Sequence, residues 1–141
     1  MVTKHTIVRG FNNAAKIIIK LLKYIVLSVF LIKVLEYSGY LMKISDFFAP
    51  FMAYIGLPGE GALVFMMGQV SIYSSIAVMM TLGLTAKQIT IMSIFISIFH
   101  AFTLETAVVI KSGGNGPLVA GLRFASAILA CLMLNFIIPG V

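Results

Sequence analysis

The sequence IGLPGEGALVFMMGQ, residues 55–69, constrains the fold more than any other stretch of this chain. It is apolar, yet it contains one proline, four glycines and the carboxylate of Glu60. Proline lacks the backbone N–H that a helix needs, and glycine weakens a helix interior. A helix that breaks inside a bilayer frees backbone groups that lipid cannot satisfy. The break must therefore be buried in protein or line a wet cavity.

The composition indicates a membrane protein. Of the 141 residues, 61% are hydrophobic and 10% are charged, whereas soluble domains have about 45–50% apolar and about 25% charged residues. The N-terminus is too polar and basic for a cleavable signal peptide, so we expect the first membrane helix to be retained. Cys131 has no second cysteine to pair with and is typical of a small buried residue. We therefore predict an all-α integral membrane protein.

The net charge of +6 is concentrated near the N-terminus. The basic residues just before the first apolar stretch are Lys16, Lys20 and Lys23. That stretch, residues 24–42, is long enough to cross a bilayer. Because basic flanks stay on the cytoplasmic side, we predict a cytoplasmic N-terminus. The chain divides into a basic amphipathic segment, 1–23, and one membrane domain, 24–141, and we expect no nucleic-acid partner.

The first of two predicted broken helices covers residues 45–68. Ser45 or Asp46 is expected to cap a short helix that Pro58 ends, and a second short helix begins at Glu60. Each half has about ten residues and a length of about 15 Å, so neither half can span a bilayer alone.

The second predicted broken helix begins at a capping box formed by Thr85 and Gln88 and is interrupted at residues 100–103. Between the two broken helices, residues 69–83 are apolar but too short to cross unless they continue the preceding half-helix. Residues 117–138 are predicted to form a last crossing.

Glu60 and Glu105 occupy matching positions when GLPGEGALVFMMG is aligned with AFTLETAVVIKSG. In each copy a break precedes a carboxylate in the first turn of a half-helix, where free N–H groups stabilise its charge. We predict about three crossings plus two re-entrant helical hairpins of inverted orientation, with the two glutamates meeting near the midplane. A bundle of straight or kinked helices is the alternative.

The motifs GLPGEGA, FHAFTLETAVVIKSGGN and LVAGLRFASAI, within residues 24–138, resemble the Gate family, also called the nucleoside recognition domain. This family is found in the spore maturation proteins A and B and in the membrane part of ferrous iron transporter B. The resemblance implies a solute-handling membrane protein, with nucleosides as one candidate substrate. It also implies a homo-oligomer or a pair with a related Gate-domain subunit, because larger members carry two such domains.

Five residues are candidates for binding a solute or an ion: Glu60, Glu105, His100, Gln69 and Thr103. Placing a carboxylate in the hydrocarbon of a bilayer costs free energy, so such a residue usually has a functional role. Each glutamate can instead simply cap its half-helix. His100 can titrate, coordinate a divalent ion with the carboxylates, or hydrogen-bond free carbonyls. Arg123 either pairs with Glu105 or lies at the cytoplasmic interface. The predicted structural breaks are Gly56, Pro58, Gly59, Gly68 and Gly113.

We expect a transporter or permease component with a central site between half-helices, handling nucleosides or another small solute or ion. The alternatives are a non-transporting scaffold or assembly subunit of a larger complex, and a divalent metal transport component. The sequence has no hydrolase elbow, phosphate-binding loop or zinc-protease motif. We therefore expect neither enzymatic activity nor a cofactor.

Overall fold

The computed structural model describes residues 4–139, apart from the side chains at positions 4, 20, 21, 24 and 28. Within that range the chain forms seven α-helices and no strand. The helices are α1 (Lys4–Tyr37), α2 (Tyr40–Tyr54), α3 (Gly61–Val70), α4 (Ile72–Thr81), α5 (Ala86–Ile98), α6 (Phe102–Lys111) and α7 (Gly116–Ile137). The predicted all-α architecture is confirmed. The Lys20 side chain of the predicted basic flank lies outside the described part.

The first long helix ends earlier than the sequence predicts. Residues 24–42 were expected to cross in one piece, but α1 ends at Tyr37 and α2 begins at Tyr40. Between them Gly39 has a φ of +73°, a left-handed conformation that glycine adopts without steric cost. The helical segment Ile25–Tyr37 and α2 are bent by 91° relative to each other. The prediction of one continuous crossing over these residues is therefore wrong.

The predicted helix cap at Ser45 or Asp46 is also wrong. Both residues lie inside α2, which has already begun at Tyr40 directly after the glycine turn. Pro50 lies inside the same helix, where its ring removes one backbone hydrogen bond.

The chain reverses between α2 and α3, as the proline and glycines at residues 56–59 predict. Gly56 has a φ of +72°, and the chain then returns along α2 until Gly59 packs on the backbone of Ser45. Glu60 occupies the N-cap position of α3. The predicted interruption and the helix start after it are present, but Pro58 does not end the first helix, because α2 already ends at Tyr54.

Replacing Gly59 with alanine is expected to destabilise this reversal. A Cβ atom at Gly59 would overlap the carbonyl carbon and oxygen of Ser45, and backbone atoms cannot swing aside. We expect a loss of about 1–3 kcal/mol in the free energy of unfolding. Thermal unfolding in detergent measures it, with Gly83→Ala as the matched control, because a Cβ at Gly83 meets no atom within 4 Å. Equal stability of the two variants would contradict the packing.

α3 and α4 form an antiparallel hairpin that turns at Ser71. The Ser75 hydroxyl donates a hydrogen bond of 2.9 Å to the Val64 carbonyl. In a continuous helix, residues eleven apart would be separated by about 16 Å, so the chain must fold back. Ser71 has an extended backbone, with φ −164° and ψ 134°, and provides the turn. Residues 69–83 therefore neither cross alone nor continue the preceding half-helix.

α5 and α6 together run antiparallel to α7. Lys87 Nζ donates to the Asn135 carbonyl at 2.8 Å, and Arg123 Nε donates to the Ile98 carbonyl at 3.0 Å. Residue numbers therefore increase along α5 in the direction in which they decrease along α7. The predicted capping box of Thr85 and Gln88 is present at the start of α5.

The second broken segment does not turn back on itself. Ala86–Lys111 forms one 26-residue element that is long and apolar enough to cross a membrane, and α7 is a second. The segment is broken as predicted, but α6 continues onward from α5 instead of forming a re-entrant hairpin. The bent α1–α2 pair brings the number of spans to three if it counts as one.

The core lies where the α3–α4 hairpin meets α1, α2, α5 and α7. Its buried side chains include Ile32 of α1, Met52 of α2, Val64 of α3, Val78 of α4 and Cys131 of α7. α1 packs on α4 and α2 packs on α3, so the hairpin is enclosed on several sides. This packing presses the end of α3 against the break between α5 and α6.

Candidate functional site

The interruption between α5 and α6 frees backbone hydrogen-bonding groups within a membrane-spanning element. The last regular bond of α5 runs from Phe99 N to Phe95 O at 2.8 Å, and the first of α6 runs from Glu105 N to Ala101 O at 3.0 Å. Ala101 has a φ of +45°, which is uncommon for a residue with a side chain. The backbone N–H and C=O groups between these two hydrogen bonds need other partners, because lipid offers none.

The end of α3 supplies those partners. Ala101 N donates to the Gly68 carbonyl at 3.2 Å. The Gln69 amide contacts both sides of the break, since its Nε2 donates to Phe99 O at 3.3 Å and its Oε1 accepts from Phe102 N at 3.2 Å. We call these contacts of Gly68 and Gln69 the latch. The latch holds the α3–α4 hairpin on the broken helix.

Two basic side chains hydrogen-bond to the last backbone carbonyl groups of α5. His100 Nδ1 lies 2.9 Å from Ile96 O, and Arg123 Nε donates to Ile98 O at 3.0 Å. Arg123 comes from α7, so this contact also ties α7 to the break. The contact of His100 with a carbonyl is one of the three roles that the sequence left open for this residue.

Glu105 joins the two basic residues into a triad. Its Oε1 lies 3.3 Å from His100 Nε2, and its Oε2 forms an ion pair with Arg123 Nη1. The three side chains are half-buried, with exposed fractions of 25% for His100, 34% for Glu105 and 26% for Arg123. Glu105 also lies in the first turn of α6, where the helix dipole favours a negative charge. The sequence left the position of Arg123 open, and the structure pairs it with Glu105.

The predicted meeting of the two glutamates does not occur. Glu60 is half-buried at the start of α3, where it forms no capping hydrogen bond with its side chain. The next residue, Gly61, packs on Met92 of α5, whereas Glu105 lies beyond the break on α6. Since α6 does not fold back, nothing carries Glu105 to the α3 N-terminus. Each glutamate does lie at the start of its half-helix, as predicted.

The remaining predicted positions are distributed along the chain. Thr103 is exposed in the first turn of α6, outside the triad. Gly113 has a φ of +85° and ends α6. The break predicted at Gly68 is wrong, because this residue lies inside the continuous helix α3 and contributes its carbonyl to the latch. Among residues 4–139, no three histidine, cysteine, aspartate or glutamate side chains come together in a way that could hold a metal ion.

Two open cavities flank the break. The larger, about 750 Å³, is apolar, and the smaller, about 560 Å³, contains the triad. Phe99 and Phe102 line the larger cavity, whereas His100 and Glu105 line the smaller one. Gln69 lies on the wall of the larger cavity. The break therefore forms the partition between an apolar and a charged space, and Gln69 of the latch contacts it from the apolar side.

Aromatic side chains dominate the larger cavity. Eight of the chain's eleven phenylalanines line it. They are Phe47, Phe48, Phe51, Phe65, Phe95, Phe99, Phe102 and Phe124. Phe65 and Phe95 stack with ring centroids 3.8 Å apart. This cavity was not predictable from the sequence, because its residues come from five helices and no local pattern connects them.

Comparison with known proteins identifies the family of the chain. A family profile described as "Gate: Nucleoside recognition" matches residues 18–116, which include the latch, the break and Glu105. The chain belongs to the Gate family. This match confirms the resemblance found in the sequence, and it leaves most of α7, with Arg123, outside the matched residues.

One curated relative of this Gate protein is the uncharacterized membrane protein YvoD of Bacillus subtilis (strain 168). The two are 26% identical over 111 residues, covering 78% of this chain. The chain spans 36% of the length of YvoD. No solved structure matches the chain. The membrane character indicated by the composition is therefore supported by both the family and the relative.

Proposed function

We propose that this protein is a membrane transport component whose solute site lies at the α5–α6 break. The observation that supports this function is the half-buried triad of His100, Glu105 and Arg123 inside an interrupted spanning element. Ionisable residues at membrane depth are costly and typically line a transport path. Interrupted helices in transporters place their free backbone groups at the substrate.

The transported solute is a nucleoside or another small organic molecule with an aromatic or apolar part. The family description gives nucleosides as the first candidate. The phenylalanine-lined cavity suits a planar apolar group, because aromatic rings pack well on one another. The triad on the other side of the partition suits polar groups. Divalent metal transport, the alternative, gains no support from the donor groups brought together in residues 4–139.

Alternating access would proceed by movement of the α3–α4 hairpin against the α5–α7 unit. The latch is the contact that must open, because it ties the hairpin to the break whose residues line both cavities. A solute that binds one arrangement better than the other shifts the equilibrium between them. In this proposal Glu105 contacts the solute directly, Arg123 positions the carboxylate, and Glu60 and Thr103 stay predicted contributors.

We place the protein in a prokaryotic inner membrane, as the resemblance to the Gate family implies. Its N-terminus is placed in the cytoplasm, as the basic residues before the first apolar stretch indicate. Two or three spans are too few to enclose a transport path, and both cavities are open. We therefore propose that a second copy or a related Gate-domain subunit completes the path. No catalytic role is proposed.

A non-transporting scaffold is the second candidate function. It is favoured by the fact that the side chains of the triad and the latch satisfy one another and the free backbone groups of the break. In that case the triad and the latch only hold the broken helix together. Glutamine at position 105 would then leave assembly with a partner intact.

Uptake into proteoliposomes tests the proposed function. We expect radiolabelled uridine or adenosine to enter vesicles that contain the protein, and Glu105→Gln to lower the initial rate at least tenfold, because the variant loses the negative charge of the triad. The control is Glu36→Gln, which changes an exposed carboxylate that pairs with Lys33 on α1. Uptake equal to empty vesicles, or equal rates for Glu105→Gln and the native chain, would contradict the proposal.

A further inference from the structure

We propose that the first half of α1, residues 5–23, is a surface helix that binds the anionic headgroups of the lipid bilayer. Its apolar face lies in the membrane and its basic face contacts the lipid phosphates. We call residues 5–23 the basic segment. This inference goes beyond the proposed transport function, because the described side chains of the basic segment lie outside the triad, the latch and both cavities.

The basic segment lies outside the packed core. Among the described residues of α1, the core contains Ile32, and Leu35 packs against it, so both contacts come from the second half of the helix. In the basic segment Ala15 is half-buried, and every other side chain that the structure describes there is exposed. Large apolar side chains are among them, such as Phe11 with an exposed fraction of 75%. A surface of this kind requires either lipid or another protein to cover it.

Apolar and basic residues lie on opposite faces of the basic segment. At 3.6 residues per turn, apolar residues recur every three or four positions along one face. They are Ile7, Phe11, Ala14, Ile18 and Leu22. The opposite face carries polar and basic residues. They are His5, Arg9, Asn13, Lys16 and Lys23. A helix with these two faces is typical of proteins that lie on a membrane surface.

The charge of the basic segment has one sign. Residues 1–23 contain five of the ten Lys and Arg residues of the chain and none of its four Asp and Glu residues. The side chains of Arg9, Lys16 and Lys23 are exposed. Positive charge that no nearby carboxylate compensates attracts anionic lipids, which give the cytoplasmic leaflet its negative surface potential. The proposed cytoplasmic N-terminus places the basic segment at this leaflet.

Two properties favour a lipid surface over a second copy of the same helix. First, the apolar face is widened by the exposed side chains of Val8, Ile17 and Ile19, so it is broader than the narrow seam that two paired helices bury. Second, a second copy would bring like charges together, and the basic segment has no carboxylate to pair with them. Lipid phosphates supply the missing negative charge.

The bend after α1 is compatible with a surface position of the basic segment. α1 is one helix of 34 residues, with a length of about 51 Å, whereas the hydrocarbon layer is about 30 Å thick. If α1 stood upright, much of the basic segment would extend into water together with its apolar face. Ile25–Tyr37 and α2 are bent by 91°. When α1 is inclined toward the membrane surface, α2 therefore points into the bilayer.

Tryptophan fluorescence in nanodiscs tests the position of the apolar face, because the native chain contains no tryptophan. Phe11→Trp places a probe on the apolar face. Asn13→Trp places a probe on the polar face, about 200° around the helix. With phosphatidylglycerol present, we expect brominated lipid chains to quench Phe11→Trp and acrylamide to reach Asn13→Trp far more easily than Phe11→Trp. In phosphatidylcholine alone, the shielding of Phe11→Trp from acrylamide should decrease.

Removing basic residues tests the contact with the headgroups. Each basic residue near an anionic surface contributes roughly a fivefold factor to binding, so Lys16→Gln with Lys23→Gln should lower the ratio of bound to released helix about tenfold or more. The Phe11→Trp probe reports this ratio. The control, Lys43→Gln with Lys111→Gln, removes two exposed basic side chains outside the basic segment and should leave the ratio unchanged.

Three results would overturn the proposal. The first is shielding of Phe11→Trp that does not depend on phosphatidylglycerol. The second is an equal effect of the Lys16 and Lys23 pair of substitutions and of the control pair. The third is shielding of both tryptophan probes from acrylamide, which would indicate that protein, such as a second copy of the chain, surrounds the basic segment.

Discussion

Replacing Arg123 with glutamine is expected to lower both stability and uptake. The substitution leaves the half-buried Glu105 carboxylate without its strongest partner and removes the donor to the Ile98 carbonyl. Breaking a buried ion pair costs about 3–5 kcal/mol, whereas exposed pairs contribute under about 1 kcal/mol, so we expect a loss of about 2 kcal/mol here. Thermal unfolding in detergent and uridine uptake in proteoliposomes measure the two effects.

A double-mutant cycle shows whether the loss belongs to the pair. In Arg123→Gln with Glu105→Gln, no buried charge is left unpaired, so we expect part of the lost stability to return while uptake stays low. Arg123→Lys keeps the charge but loses the planar, two-sided contact and should lie between the native chain and Arg123→Gln. Additive losses in the double variant would mean that the two side chains do not interact.

Replacing Gln69 with leucine is expected to release the latch. The variant keeps a side chain of similar size but leaves Phe99 O and Phe102 N without partners at membrane depth. Each unsatisfied group costs about 1–3 kcal/mol, so we expect a combined loss of about 2–6 kcal/mol. Hydrogen exchange of the Phe102 amide should become at least tenfold faster, because its protecting acceptor is gone.

Two control variants test the latch: one changes another residue of α3, and the other changes Gln69 itself to a different side chain. Met66→Leu changes an exposed side chain of α3 and should leave exchange at Phe102 unchanged. Gln69→Glu can still accept from Phe102 N but cannot donate to Phe99 O, so its effect should be smaller than that of leucine. Native-like protection of the Phe102 amide in Gln69→Leu would show that the latch does not hold the break.

The breaks in this fold were predictable from the sequence where a residue type forces them. Pro58 and its neighbouring glycines interrupt the helix, and the interruption at residues 100–103 follows from a polar, uneven pattern inside an apolar run. The turn at Ser71 was not predictable, because no proline or glycine marks it. That turn depends on the packing of Ser75 against the Val64 carbonyl.

The direction that the chain takes after each break could not be predicted from the sequence either. A broken helix can continue or fold back, and the choice depends on the surface it packs against. α6 continues along α7 because Arg123 and Ile98 fix the antiparallel register on one side of the break, and Glu105 and Arg123 fix it on the other. For the same reason the alignment of Glu60 with Glu105 predicted two helix starts correctly but placed the carboxylates together wrongly.

The four polar side chains of the candidate site could be identified from the sequence as chemically unusual. Glu105, His100, Gln69 and Arg123 are polar residues in an apolar chain, so their cost in the membrane marks them. The contacts that these side chains make could not be predicted from the sequence. The Gln69 amide bridges residues 30 and 33 positions away, and such distant pairs leave no spacing in one sequence.

Native mass spectrometry of the protein, released gently from its own membrane, tests the central claim most directly. We predict a small organic solute bound to the native chain, alone or with a second Gate-domain chain, and loss of that solute in Glu105→Gln. Absence of any bound solute, including after incubation with nucleosides, would contradict a transport site at the α5–α6 break. Retention of the same solute by Glu105→Gln would contradict the role of the triad.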